Sequence, residues 1–370
     1  MTALTRLTLT DFRNYESLTL KLDARPVCLY GSNGAGKTNL LEAVSQFGPG
    51  RGLRAATLPE MTRHGAPGGW TIAATLDGEQ KIGVSLDQGG AAKRAVRIDG
   101  APASPGDLAE RLRLLWLTPA MDGVFRGGAS DRRRFFDRIV MAHQPSHGTA
   151  ASRYEKALAE RNALLERGHV DPAWADAIEA RLAEAGAELA VNRALVLGEL
   201  QAAIDARPDG HFPKADLSLE GDAEAAALKG DDFRSIFDLL TDAYRTGRRR
   251  DIGAGRTLSG PHRSDLGVIH RPSGAPAGEA STGQQKALLI GLMLASAGAL
   301  SDSGAGPAPL LLLDEAVAHL DPERRTALFG ELSAMNGQAW LTGTDLYLFE
   351  TFGTDAQKVR VDNCSAVLEA

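Results

Sequence analysis

Apolar residues recur on one side of an extended chain at the start of the sequence: Leu4, Leu7 and Leu9, then, beyond Phe12-Arg13-Asn14-Tyr15, Leu18, Leu20 and Leu22. This period of two predicts two β-strands joined by a turn. The wholly apolar run Val27-Cys28-Leu29-Tyr30 predicts a buried parallel strand, and Leu40-Leu41-Glu42-Ala43-Val44 has the spacing of a helix. Residues 48–69 are rich in Gly and Pro. Strand patterns return at 70–76, 81–86 and 95–98, the last closed by the turn pair Asp99-Gly100, and again at 112–117. The first third is therefore expected to be β-rich.

From Asp131 to about Arg250 the pattern turns helical and Ala-, Glu- and Arg-rich. Asp171-Pro172 is an N-cap followed by proline at the first helical position. Ile178, Leu182, Ala185, Leu189 and Val196 then keep a three–four spacing up to about Ala206. A helix of ~35 residues is ~50 Å long, so it must project as an arm or lie along a groove. Residues 152–167, joined to it by a short loop at Gly168, are the expected antiparallel partner. An insertion of this size supports a short helical arm and not a long coiled coil.

The β/α pattern resumes at Leu258. Leu266, Val268 and His270 alternate, residues 280–286 open an apolar helix through Leu300, and Leu310-Leu311-Leu312-Leu313 forms a buried strand ending in Asp314-Glu315. Residues 338–342 are a further strand. Two β/α blocks flanking a helical insertion predict one split α/β domain, 1–125 with 255–370, and a helical arm domain, 126–254. No repeat period appears, and Gly/Pro/Ser linkers fall at 271–279 and 301–309.

Composition narrows the class. The 370 residues, 43% hydrophobic and 24% charged, suit a globular chain of two or three domains. Two cysteines, Cys28 and Cys364, give neither a disulfide framework nor metal-ligand spacing, which points to a reducing, cytoplasmic setting. Met1-Thr2-Ala3-Leu4-Thr5-Arg6 lacks the apolar core of a signal peptide. The longest mainly apolar run, 287–300, falls short of the ~20 residues that span a bilayer. A net charge of −6 means that a nucleic-acid partner would need a local basic surface.

The candidate chemistry begins at Gly31-Ser32-Asn33-Gly34-Ala35-Gly36-Lys37-Thr38, which fits the P-loop pattern G-x-x-x-x-G-K-[ST] between a predicted strand and a predicted helix. Its backbone amides would close around the phosphates of ATP, Lys37 would reach the β- and γ-phosphates, and the Thr38 hydroxyl would ligate Mg²⁺. Four leucines followed by Asp314 and Glu315 form a Walker B pattern, with Asp314 for the Mg²⁺ shell and Glu315 as general base toward water. An acidic pair at a strand end also reads as a helix cap, a reading that the P-loop displaces.

Ser281-Thr282-Gly283-Gln284, before a helix and some thirty residues ahead of Asp314, resembles the signature motif of ATP-binding-cassette ATPases, with Thr282 in place of the first glycine. The resemblance implies that Ser281 and the following amides bind the γ-phosphate held by a second subunit, although the same residues make a plain N-cap. Ala318-His319-Leu320-Asp321-Pro322 resembles the D-loop of that superfamily and equally an N-cap with its N1 proline. Thr344 and Asp345, not a switch histidine, follow the strand at 338–342.

With these motifs, several segments are similar to the RecF family of bacterial DNA repair ATPases over nearly the whole chain. They are Asp11-Phe12-Arg13-Asn14-Tyr15, Gly50-Arg51-Gly52-Leu53-Arg54, Arg97-Ile98-Asp99-Gly100, Arg133-Arg134-Phe135-Phe136-Asp137, Arg161-Asn162-Ala163-Leu164-Leu165 and Gly260-Pro261-His262-Arg263-Ser264-Asp265-Leu266. Ala129 stands where the family has proline, and Ser264 where an acid is common. The resemblance implies an SMC-like and ABC-like P-loop ATPase head using ATP and Mg²⁺. It further implies an ATP-dependent homodimer on DNA at single-strand gaps or their duplex borders, aiding RecA with RecO and RecR. Phe12, Arg13 and Asn14 would flank the adenine or form only a strand-end turn. Arg51, Arg54 and Arg63, Arg132, Arg133 and Arg134, and Arg248, Arg249 and Arg250 are candidate DNA-phosphate contacts or solvated faces. The competing readings are a transporter's nucleotide-binding subunit, disfavoured by the helical insertion, and another SMC-like head with a different substrate.

Overall fold

In the computed structural model, which describes residues 2–86, 93–168 and 171–369, the opening alternation forms β1 (Leu4–Phe12) and β2 (Tyr15–Lys21), an antiparallel hairpin with Phe12 opposite Tyr15. Met1 and Ala370, the outer bounds of the expected split domain, lie outside the described residues. A register shift between Leu4 and Arg6 lets Leu4 and Leu7, three apart, face the same core. β3 (Val27–Tyr30) is buried end to end and leads through the glycine loop into α1 (Lys37–Ser45). β4 (Thr71–Leu76), β5 (Gln80–Leu86), β6 (Arg94–Ile98) and β7 (Ala101–Ala103) complete an antiparallel sheet in the order β2-β1-β4-β5-β6-β7. α2 (Pro105–Ala109), capped reciprocally by Ser104 and Asp107, precedes the buried β8 (Leu114–Leu117).

The helical stretch holds α3 (Ala129–His143), α4 (His147–Leu165), α5 (Pro172–Ala206), α6 (Asp222–Leu228) and α7 (Phe233–Ala254). Between α5 and α6 runs β9 (Ala215–Glu220), which pairs antiparallel with β10 (Asp265–His270); β11 (Ala275–Pro276) closes this small sheet. α5 has 35 residues and is ~52 Å long. Of its two expected placements the structure has the groove. Leu182, Ala183, Ala185, Ala187 and Ala190 point to different sides and are all buried, among Tyr154 and Ala157 of α4, Ala223 of α6 and Leu240 and Tyr244 of α7. Small residues permit this approach: a side chain at Gly186 would meet Leu240 Cδ1 at 3.0 Å and Tyr154 Cε2 at 3.1 Å.

Two buried arginines tie this bundle together. Arg161, 1% exposed, donates to Glu179 Oε1 (3.1 Å), Asp251 Oδ2 (2.7 Å), Thr257 Oγ1 (2.8 Å) and the Tyr244 carbonyl (2.9 Å). Arg193 grips Asp137 at 2.8 and 2.9 Å, Glu224 at 2.7 Å and Ser264 Oγ at 2.9 Å. A buried charge left unpaired costs several kcal/mol, so each of these groups requires the others. Ser264, placed where the family commonly has an acid, is thus a neutral acceptor within this network.

α8 (Thr282–Asp302), buried on nearly every side beyond its first turn, precedes β12 (Leu310–Leu313), α9 (Pro322–Ala334), β13 (Ala339–Gly343), β14 (Gln357–Asp362) and β15 (Ser365–Leu368). The second six-stranded sheet has the order β15-β14-β3-β13-β12-β8 and is parallel except for β15. Wholly apolar strands suit a parallel sheet covered on both faces.

The chain divides into two compact units: Met1–Asp122 with Arg207–Pro213 and Ser281–Ala370, and Gly123–Ala206 with Lys214–Ala280. The second reaches further than the helical stretch 126–254 read from the sequence. β9 lies in a segment expected to be helical, and its backbone pairing with β10 carries residues 265–270 into the second unit, away from the block in which their alternation had placed them.

Candidate nucleotide-binding site

The P-loop leaves the end of β3 through Gly31, whose φ is +147° and where a Cβ would lie 2.1 Å from the Val361 carbonyl oxygen; only glycine passes. The loop closes on the N-terminus of α1, whose first amides have no helical partner and favour an anion. Around it Asn33, Gly34, Gly36, Lys37, Thr38, Asn39, Arg54 and Glu315 line an open cavity of about 170 Å³. The Lys37 ammonium donates to the carbonyls of Gly31 (2.6 Å) and Ser32 (2.8 Å), the loop's own backbone. Burial pushes its pKa down, and Glu315 and Asp314 oppose that shift.

The β1–β2 turn braces the loop from outside. Asn14 donates to the Ala35 carbonyl (3.4 Å) and accepts from Asn39 (2.7 Å), and the Tyr15 hydroxyl donates to the Gly36 carbonyl (3.2 Å). Phe12 is fully buried, edge-on to Trp70, and offers no face to a base, which corrects the adenine-flanking role considered for it. Arg13 is held by the buried Glu42 carboxylate at 2.5 and 2.9 Å and by the Glu60 carbonyl at 2.8 Å. Glu42 also takes Arg54 at 3.1 Å, and Arg54 donates to Asn39 at 2.7 Å. Arg54, expected among DNA contacts, therefore stands in the wall of the phosphate cavity.

Across the cavity lie the acids at the end of β12. Asp314 Oδ1 accepts from Thr38 Oγ1 (3.1 Å) and Thr342 Oγ1 (2.8 Å), and burial pushes its carboxyl pKa up while both hydroxyls oppose the shift. Glu315 takes a left-handed backbone, φ +52°, which costs a β-carbon residue about 1–3 kcal/mol. It is fixed on both sides: its N–H donates to Thr342 Oγ1 at 2.8 Å, and its carbonyl accepts from Lys286 Nζ at 3.2 Å. The Thr38 hydroxyl and Asp314 carboxylate present two converging hard oxygen donors, the donor set that Mg²⁺ uses when phosphates complete its shell. Among the described residues no group of three or more His, Cys, Asp or Glu could hold a metal ion.

Ser281 caps α8 in a reciprocal box: its Oγ accepts from the Gln284 N–H (3.3 Å), and Gln284 Oε1 accepts from the Ser281 N–H (3.0 Å). Ser281, Thr282, Gly283 and Gln284 are all exposed. Asp321 caps α9 by accepting from the Arg324 N–H (2.8 Å), a bond that also lowers its pKa.

The arginine groups separate. Arg132 donates two hydrogen bonds to the Asp265 carboxylate (2.8 and 2.5 Å) and Arg133 donates to the Ser264 carbonyl (2.6 Å), so both are used within the protein and not presented as free DNA contacts. They face β10 from α3, a neighbour that the sequence did not reveal. Arg134 pairs with its own-turn Asp131 and its side chain is 70% exposed; Arg51 is exposed. Arg63 pairs with Asp11 (2.8 Å) and Arg248 with Glu179 and Asp176, whereas Arg250 is largely exposed.

The chain matches the RecF/RecN/SMC N-terminal domain family over residues 3–350. It is 50% identical to the DNA replication and repair protein RecF of Caulobacter vibrioides over 373 aligned positions, covering 97% of this chain and 96% of that protein. The chain belongs to the RecF family. The RecF of Brucella suis biovar 1 is likewise 50% identical, over 95% of this chain and 92% of its own. The fold of this RecF-family chain, an SMC- and ABC-like ATPase head with an inserted helical domain, is shared with a solved structure of the recombination mediator protein RecF-ATPrS in the RecFOR pathway. That structure has a TM-score of 0.84 at 21% identity and covers 100% of this chain and 98% of its own. Membership of the RecF family sets aside the transporter reading, and no helix among the described residues is long and apolar enough to cross a membrane.

Four residues of the RecF-family site were not singled out by motif: Asn39, Glu42, Lys286 and Thr342. Two carried a signal. Thr342 is a polar residue in an apolar strand aligned beside the Asp314 strand, and Lys286 is a charge at the head of an apolar helix.

Proposed function

We propose that this chain is an ATP-dependent DNA-binding protein of recombinational repair and replication restart. It works in the cytoplasm as a homodimer that closes on ATP at single-strand gaps or single-strand/duplex junctions and, with RecO and RecR, assists RecA. The observation that carries the reading is the phosphate cradle itself: an open cavity lined by Lys37, Thr38, Arg54 and Glu315, with Asp314 bonded to Thr38. At about 170 Å³ it is smaller than the about 300–1,000 Å³ of a complete small-molecule site, as expected of half a pocket. Relatives 50% identical to this chain are named for DNA replication and repair.

In this mechanism the amides of Gly34, Ala35 and Gly36 and the start of α1 hold the phosphate chain. Lys37 exchanges its two backbone carbonyls for phosphate oxygens, and Arg54 adds a second cation. Thr38 and Asp314 would hold Mg²⁺, which would neutralise charge on the phosphates. Glu315 accepts the proton of the attacking water. The exposed Ser281 and the first amides of α8, from the second copy, close over the γ-phosphate. Because ATP binds the closed form, it drives association by linkage, and slow hydrolysis reopens the dimer: a switch more than a motor. Binding to gapped, duplex and single-stranded DNA, with and without ATP across salt, tests this. ATP-dependent preference for the gapped substrate supports it, and ATP-independent binding equal on all three contradicts it.

A further inference from the structure

Lys286 sits five residues beyond Ser281, at the start of the second turn of α8, and its side chain is buried. Its ammonium donates to the backbone carbonyl of Glu315 at 3.2 Å and lies 3.6 Å from the Asp122 carboxylate. Neither phosphate binding nor water activation requires this lysine. A buried ammonium needs partners, and these two fix it between the head of α8 and the turn after β12.

The carbonyl it holds belongs to a strained residue. Glu315 is left-handed at φ +52°, and such a conformation persists only where neighbours over-determine it. Thr342 secures its N–H, and its C=O accepts from the Ala318 N–H at 3.4 Å and, more closely, from Lys286, so the direction of the Glu315 carboxylate depends in part on where α8 stands. Lys286 opens the second turn of the helix that Ser281 caps.

We propose that Lys286 is a positioning residue that couples the two ATP sites of a dimer. This rests on the composite-site reading above. In that arrangement Ser281 of one chain serves the γ-phosphate of its partner, whereas Glu315 of the same chain serves its own. A pull on the Ser281 end of α8 therefore reaches the opposite site through the Lys286–Glu315 carbonyl bond. Each site is competent only when the other is filled, and turnover is cooperative in ATP.

The test uses the full chain: ATP turnover against ATP concentration, with ATP-dependent dimerisation by sedimentation, for wild type, K286M and K286R. Wild type should show a Hill coefficient above one. K286M should bind ATP and dimerise as wild type, lose cooperativity, and fall in kcat by about tenfold to a hundredfold with little change in KM. K286R, which keeps the charge and the reach, should recover most of the cooperativity. A K286M chain with wild-type kcat and cooperativity overturns the proposal, as does a wild-type Hill coefficient of one. Should K286M fail to fold, D122N decides by the same readouts: reduced cooperativity supports the coupling and unchanged cooperativity refutes it. A wild-type chain that stays monomeric with ATP overturns instead the composite-site reading itself.

Discussion

The Thr342 hydroxyl donates to Asp314 Oδ1 at 2.8 Å and spends its lone pair on the N–H of the next residue in the Walker B turn. One side chain thus orients the Asp314 carboxylate and the Glu315 backbone together. Thr342→Val keeps the shape of a fully buried position and removes both bonds. We expect a stability loss of about 1–3 kcal/mol from the unsatisfied groups, and a larger proportional loss of ATP turnover than of ATP affinity. Chemical denaturation and steady-state kinetics on the same preparation check this; equal losses in binding and turnover would contradict it.

Lys37 donates to the carbonyls of Gly31 and Ser32, both in the loop's own backbone, so its removal should spare the fold. Lys37→Ala should weaken ATP binding by roughly 10- to 100-fold, the worth of a hydrogen bond to a charged group, with an unchanged melting temperature. Titration with a fluorescent ATP analogue measures it.

Arg132 and Arg134 are neighbours in sequence with opposite expected effects. Arg132 donates two hydrogen bonds to Asp265, whereas Arg134 is largely exposed. Arg132→Ala should lower the melting temperature and leave the slope of log K against log salt unchanged. If Arg134 meets a phosphate, Arg134→Ala should reduce that slope by about one without a thermal effect. Salt titrations of DNA binding separate the two.

His262 gives the helical unit an acid limit. The Tyr154 hydroxyl bonds its Nδ1 at 2.8 Å and the Thr257 carbonyl accepts from its Nε2 at 3.1 Å, which fixes the neutral ring. Burial, with Arg263 and Arg133 nearby, holds its pKa below the ordinary value. The unfolded chain then binds a proton that the folded chain refuses, so stability falls as pH drops through about 6.5 and levels off below the folded pKa. Burial would raise Asp137, but Arg193 and His147 hold it well below the carboxylate range, so its contribution is lost only below about pH 4. Melting temperature between pH 8 and 5.5 should drop in wild type and less in His262→Gln; identical slopes would contradict the assignment.

The elements that carry the candidate site were legible in the sequence wherever they are built from local backbone. The glycine loop, Asp314-Glu315 and the Ser281 cap each need only a few consecutive residues, and each lies where the pattern put it. What was hidden depends on pairing at long range. β9 shows too short an alternation to announce itself, and only its backbone bonds to β10 show that residues 265–270 belong with the helices. The same pairing decides that Arg132 meets Asp265 instead of solvent. Arg54 looked like part of a basic group until Glu42, fully buried, drew it and Arg13 to the P-loop. A charge run specifies a surface only when no buried partner waits in space, and that partner has no sequence signature.

The most direct measurement is sedimentation of the Glu315→Gln chain across a range of protein concentrations, with and without ATP. Glutamine keeps the shape of the side chain but cannot accept the water's proton, so bound ATP should persist. The expected result is a stable dimer with ATP and a monomer without it. A chain that remains monomeric with ATP at every concentration would contradict a nucleotide site shared between two copies.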